Sequence, residues 1–221
     1  MPKSVLVLIF ILFNWVLNAQ NHLVGVQFGV NNTNVTDKNI FEDKIGKNGF
    51  SGGITYDYLI KKKFTIGVDL LYSQKGFGNY FILGDVLDPV MGGNGTNTNN
   101  GNLIYFQYDY ITIPISLSYK VGNKYYLFTT VGLAPSFLVS AKTYFEDSDN
   151  VLYSNNLNKF ELSGQVGLGA GLKLYKNYHL YASVLKFQSF NAVSNSKYYV
   201  FSEITNYGYN FSLGFKYSIG K

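Results

Sequence analysis

Tyr209-Asn210-Phe211-Ser212-Leu213-Gly214-Phe215-Lys216-Tyr217-Ser218-Ile219 alternates without a break between large apolar side chains and polar or small ones. A period of two sends every second side chain to the same face, so this stretch predicts a β-strand with one oily and one wet side. The pattern repeats back along the chain. Val24, Val26, Phe28 and Val30 interleave with Gly25, Gln27 and Gly29. Further runs span Phe50 to Ile60, Phe64 to Ser73, Ile111 to Tyr119, Leu127 to Ser140, Phe160 to Leu174 and His179 to about Phe190. The last of these loses phase at Lys186, where a bulge is expected. Pro114 and Pro135 each remove a ladder donor, so each predicts a bulge or a locally broken ladder. The runs are long: a membrane-crossing strand needs about 9–11 residues, whereas an ordinary strand averages about 5–6.

The two faces decide where such strands can live. One is dense in Ile, Leu, Val, Phe and Tyr; the other is Gly, Ser, Ala and Thr with sparse charge. A soluble barrel or sandwich needs a well-charged outer face. Charged residues are only 14% of this chain, against 47% hydrophobic and 18% aromatic, and soluble domains carry roughly 25% charge. The oily face is therefore expected to point outwards into lipid, with Tyr58, Tyr72, Tyr119, Tyr125 and Tyr217 as interfacial girdle residues. The wet face lines the tube. On it fall Asp57, Asp69, Lys75, Glu161, Lys173 and Lys216, together with Gln165, and these predict a lumen network of ion pairs and hydrogen bonds. Eight strands leave little more room than their own side chains fill, so an open pore is not expected.

Connections alternate in length. Lys61–Lys63, Lys120–Lys124 and Tyr175–Tyr178 are short, whereas Asn32–Asn48, Gly76–Asn102, Ala141–Lys159 and Asn191–Asn206 are long. Tight periplasmic turns and large external loops have this rhythm. The expected fold is all-β: an eight-stranded antiparallel up-and-down transmembrane β-barrel. The Gly- and Asn-rich stretch Met91–Gly101 reads as a polar external tip. Tyr105, Phe106, Tyr144, Phe145, Tyr153, Tyr198, Tyr199 and Phe201 flank or lie in the long loops as candidate contact residues.

The N-terminus is read separately. Lys3, an apolar run from Val5 to Phe13 and Ala19 before Gln20 form a signal peptide pattern over 1–19, leaving 20–221 as the barrel domain. The run is too short to span a bilayer as a helix. Export through a cleaved signal and an outer-membrane location follow as expectations.

Little chemistry is available. Cysteine is absent, which excludes disulfides, thiolate metal sites, thiol nucleophiles and lipid attachment through an N-terminal cysteine. The net charge of +5 is mild and forms no dense basic block, so no nucleic-acid partner is expected. His22 and His179 lie at the periplasmic side, and neither has a Ser and an acid near it in sequence. Glu146, Asp147 and Asp149 cluster in a loop without ligand spacing. Gly167-Leu168-Gly169-Ala170-Gly171 sits inside an alternating strand, where small inward residues explain it better than a dinucleotide loop. No catalytic residue, cofactor or metal site is expected.

The segment from Asp109 to Lys120, with Tyr110, Ile111, Ile113 and Pro114 as its motif, resembles a recurrent strand of the Bacteroidetes outer-membrane β-barrel family, often called the porin family or PorT-like. Val131–Leu138, Gly164–Leu174 and Ser212–Ile219 are similar to other strands of that family. The likeness extends over the mature chain. It departs at the C-terminus, which ends Tyr217-Ser218-Ile219-Gly220-Lys221 rather than on an aromatic; Phe215 and Tyr217 become the candidates read by the insertion machinery. The resemblance implies a barrel and says little of activity. The partners expected are outer-membrane lipid, barrel-insertion machinery, and surface ligands or secretion proteins through the loops. The leading function is a structural or interaction barrel. A narrow porin or transporter, and an accessory part of a secretion system, are the alternatives.

Overall fold

Each alternating run pairs with its neighbour in sequence, and the last run pairs back on the first. The computed structural model describes residues 22–36, 44–61, 63–81, 102–145, 151–153, 157–175, 177–193 and 204–219. The signal segment 1–19, the tip Met91–Gly101, the acidic cluster Glu146, Asp147 and Asp149, and Tyr198, Tyr199 and Phe201 lie outside the described residues. Ten strands are β1 (His22–Thr36), β2 (Lys44–Lys61), β3 (Phe64–Phe81), β4 (Asn102–Thr112), β5 (Ile115–Gly122), β6 (Tyr125–Phe145), β7 (Val151–Tyr153), β8 (Phe160–Tyr175), β9 (Tyr178–Ser189) and β10 (Thr205–Ile219).

β4 and β5 are two halves of one stave. Both lie between β3 and β6, and the interruption is Ile113-Pro114. Among the described residues β7 pairs with β6 alone. The remaining pairings are all antiparallel and join β1 to β2 and to β10, β2 to β3, β6 to β8, β8 to β9 and β9 to β10. Eight staves thus close a ring with no free edge, which a sheet in hydrocarbon requires because no water is there to satisfy an open edge.

The short connections gather at one end. Asn123-Lys124 joins β5 to β6, and Gly122 adopts φ 107° to make that turn. A side chain is disfavoured there by its own backbone. This end is called the turn end, and the opposite one the loop end.

On the outer face the oily belt is continuous. Val26, Phe28, Ile54, Ile66, Leu117, Val131, Leu168, Val184 and Leu213 are all exposed. On β3 the belt runs from Phe64 to Tyr72. At ~3.3 Å per residue and a tilt of ~40°, that is about 20 Å tall, close to the ~25 Å apolar band of outer-membrane barrels.

Several strands run further than the alternation suggested. β1 continues through Asn32 to Thr36, β3 through Gly76 to Phe81, and β6 through Ala141 to Phe145. Beyond the belt the faces exchange character. Asn32 and Asn48 stand outside and share a 2.8 Å hydrogen bond, whereas Val35, Phe77, Tyr108, Ala141 and Ile204 point inwards and are buried. The upper staves have the polarity of a water-soluble sheet.

The same exchange corrects the expectation at Lys186. β9 holds its register there, with Gly167 opposite Leu185, Val166 opposite Lys186 and Gln165 opposite Phe187. No bulge occurs; Lys186 points out and Phe187 in because the stave is leaving the oily zone. Register shifts lie elsewhere: on β2 between Gly46 and Ser51 and between Leu59 and Lys61, on β8 between Lys173 and Tyr175, and on β6. There Asp109 faces Ser140 and Tyr110 faces Leu138, so Val139 is extra. Pro114 and Pro135 are locally broken ladders without a bulge. Their carbonyls still accept, from Asp69 N–H at 3.0 Å and Ile113 N–H at 2.8 Å. Tyr58, Tyr119, Tyr125 and Tyr217 ring the turn end, but Tyr72 does not sit at a strand end, because β3 continues to Phe81.

Leu168 tests the orientation of the faces. Replacing it with Lys puts an ammonium mid-belt and should destabilise the barrel by about 2–4 kcal/mol. Equilibrium urea unfolding in lipid vesicles would measure it. A sheet whose outer face met water would lose almost nothing.

Candidate functional site

The lumen holds the polar half of every strand, arranged in layers. In the upper layer Lys75 and Glu161 form an ion pair, Nζ to Oε1 2.5 Å, with both side chains buried. Asn206 donates to the other carboxylate oxygen at 2.6 Å. Lys75 Nζ also stands 5.1 Å from the Tyr110 ring centroid and 4.8 Å from that of Phe187. A cation clamped between two rings and a carboxylate is compensated on every side.

Above this pair, Val35, Phe77, Tyr108, Tyr110, Ala141, Val193 and Ile204 form one apolar cluster, with Phe106, Leu138 and Leu157 packed on it. Phe77 and Phe106 stack with centroids 4.8 Å apart. Phe106 therefore helps close the loop end from within rather than offering itself outside. Tyr105 and Tyr144 face each other across β4 and β6 at 5.5 Å. Phe145 is exposed.

Below the pair runs a layer of amides and hydroxyls. Asn210 Nδ2 donates to Asn31 Oδ1 and to Ser51 Oγ, both at 2.7 Å, and Asn31 Nδ2 donates to Ser73 Oγ at 3.0 Å. Ser183 with Ser212, Ser118 with Thr130 and Thr112 with Ser136 pair at 2.7–2.9 Å.

The lower lumen is more open. Lys216 Nζ meets Asp57 Oδ2 at 2.6 Å and stands 4.8 Å from the Tyr181 ring centroid. The Tyr181 hydroxyl donates to Gln27 at 2.9 Å. Around them lies a polar cavity of about 320 Å³, also lined by Asp69, Gln165, Lys173 and His179. Asp69 Oδ1 makes no hydrogen bond to the described residues.

The seven residues expected in the lumen network therefore divide. Lys75 with Glu161 and Lys216 with Asp57 are ion pairs, whereas Asp69, Gln165 and Lys173 share the cavity wall without a direct ionic partner among the described residues. Of the motif strand, Tyr110 is buried over Lys75, Ile111 faces Tyr72 and Phe137, and Ile113 and Pro114 break the stave. Sequence reading missed Asn206, Asn31 and Asn210. Their inward parity was the available signal, hidden because Asn is common in loops.

A closed antiparallel ring with an oily exterior and a packed polar interior defines an integral barrel. Among the described residues no helix is long and apolar enough to cross a membrane, so crossing falls to the strands. The sequence matches the outer membrane protein beta-barrel domain family over residues 18–193, and the chain belongs to that family and to the outer membrane. No curated protein matches the sequence. Among solved structures, it is similar to Ail, the attachment invasion locus protein of Yersinia pestis, at 13% identity and TM-score 0.44 over 89% of this chain and 99% of that one. It is also similar to OprG of Pseudomonas aeruginosa, at 11% identity and TM-score 0.46 over 90% and 95%. The outer membrane protease OmpT of Escherichia coli matches at 11% identity and TM-score 0.44 over 90% and 97%. These likenesses concern the fold alone.

Breaking the upper pair has a definite expected cost. Lys75→Met should lower stability by about 3–5 kcal/mol, because Glu161 would be left buried and uncompensated. Adding Glu161→Leu to Lys75→Met should recover most of that loss. Urea midpoints of the two single variants and the double variant in vesicles provide the cycle.

Proposed function

We propose that the chain is a closed outer-membrane anchor that holds its loop end as a recognition surface for surface ligands or partner proteins, without catalysis. The observation carrying this is the apolar cluster around Phe77, Tyr110 and Ile204. It fills the loop end above the lipid belt and makes the protruding staves a rigid pedestal. A barrel built to pass solutes would leave that end wet. Tyr105 and Tyr144 on the outside of the pedestal, with Phe145 exposed at its rim, suit contact with a partner.

The proposal includes membership of the Bacteroidetes porin-family or PorT-like group, on the strength of the Tyr110, Ile111, Ile113 and Pro114 strand. It includes export through a signal peptide at 1–19 and recognition of Phe215 and Tyr217 by the insertion machinery. The non-catalytic reading is supported by the histidines. His22 Nδ1 lies 2.7 Å from the Tyr56 hydroxyl, and His179 lines the lower cavity; no described hydrogen bond joins either to a serine. A narrow porin or transporter is the second reading, favoured by the polar cavity of the lower lumen. A secretion accessory rests on the family resemblance alone.

Purified protein in planar bilayers should carry no steady current; a stable conductance would transfer the case to the porin reading. A photoreactive residue at Tyr105 or Tyr144 should cross-link one discrete component in the native envelope. Trimming the connection between β3 and β4 should abolish that product.

A further inference from the structure

The turn end carries a charge imbalance that the barrel itself does not use. Lys61, Lys63, Lys120, Lys124, Lys173 and Lys216 lie within the last residues of the staves at this end. Asp57 and Asp69 are the only described carboxylates in the same half. Asp57 is taken by Lys216. Among the described residues, no carboxylate lies within ion-pair distance of Lys120, Lys124 or Lys173.

Those three lysines line one concavity. Together with His179, Leu59, Asn123 and Tyr175 they line a concave mouth of about 500 Å³ at the turn end. Lys120, Lys173, His179 and Leu59 also line the lower cavity, so the mouth leads into it. Lys120 Nζ is held 4.4 Å from the Tyr126 ring centroid, and Lys124 Nζ 5.8 Å from that of Tyr125. The ammonium groups are thereby positioned by rings rather than neutralised by acids.

We propose that this mouth binds an acidic peptide segment, whose carboxylates meet Lys120, Lys124 and Lys173 at the turn end. Cations sharing a concavity without counter-charge attract and orient an anion. The location selects a peptide over a lipid. Lys120 and Lys173 also line the cavity inside the ring, and an anionic headgroup would have to leave its acyl layer to reach them; Lys124, beside the outward Tyr125, stands level with the headgroups. An eight-stranded ring is also too narrow to admit a folded domain, whereas the end of an extended segment can reach the mouth. In barrels of this family the turn end faces the periplasm, so the partner is a periplasmic protein with an exposed acidic tail or loop.

The test uses the full-length protein in nanodiscs of phosphatidylcholine and fluorescein-labelled hexaglutamate. Wild-type protein should bind it, and the combined Lys120→Ser, Lys124→Ser and Lys173→Ser variant should bind about tenfold more weakly, as for loss of several partly exposed charge pairs. The corresponding Lys→Arg variant should retain binding, and Lys61→Ser with Lys63→Ser should retain most of it. Amine acetylation of the wild-type protein, mapped by mass spectrometry, reads the same site without any variant: hexaglutamate should protect Lys120, Lys124 and Lys173 but not Lys61 and Lys63. Undiminished binding by the triple Ser variant, or equal protection of Lys61 and Lys63, would overturn the pocket in favour of a diffuse rim field. Displacement of the peptide by phosphatidylglycerol in the nanodisc would overturn it in favour of lipid.

Discussion

The solvent outside each stave changes along the barrel axis, and the side chains of every strand obey that change. A closed ring satisfies the backbone at all heights, so the sequence is free to choose only which face is oily. Within the belt, Val26, Ile66, Leu168 and Leu213 face outwards, and the interior is serine, asparagine and paired charge. Above it, Asn32 and Asn48 face outwards while Val35, Phe77 and Ile204 fill the interior. One continuous ladder thus carries two opposite burial patterns. The crossover is where the lipid ends, and the apolar cluster above it acts as a lid continuous with the wall.

The Lys75–Glu161 pair sits at that crossover, between the amide layer and the apolar cluster. Replacing a buried ion pair with hydrocarbon often costs nothing in stability, so its presence needs another reason. A uniformly apolar plug could slide or repack; a lysine fixed by Glu161, Tyr110 and Phe187 from three different staves has one geometry. Asn206 adds a fourth stave. The pair therefore sets the relative height of β3, β4, β8, β9 and β10, which hydrophobic contact alone leaves loose. This is a specificity role in the sense of a register pin, and the lower Lys216–Asp57 pair repeats it between β10 and β2.

Strand identity and number were legible because the belt enforces a strict period of two over nearly every stave. What the alternation could not give was where strands end. Asn32, Gly76 and Ala141 read as loop starts, since beyond them the apolar residues change parity or are replaced by amides. Lys186 read as a bulge for the same reason, although the pleat runs on unbroken. The β6 bulge at Val139 was hidden because Leu138, Val139 and Ser140 satisfy either phase. The lumen charges were legible from parity, but their partners were not. Lys75 and Glu161 are far apart in sequence, and only the shear of the closed ring places them at one height.

The lower cavity also has a physical cause, found in how bulk is shared across the tube. Phe128 and Tyr126 of β6 lie over Gly169 and Gly171 of β8, and Tyr181 of β9 lies over Gly214 of β10. A Cβ at any of those glycines would collide with the ring above it. The aromatic rings are thereby laid flat against the wall instead of standing across the axis. Rings that stood upright would fill an eight-stranded lumen. Laid flat, they leave the polar cavity that Asp69 and Lys173 line. At the loop end the inward rings of Phe77 and Phe106 stack on each other instead and take up the space. The asymmetry between a sealed end and a hollow end is therefore written in which inward positions carry glycine beneath an aromatic ring.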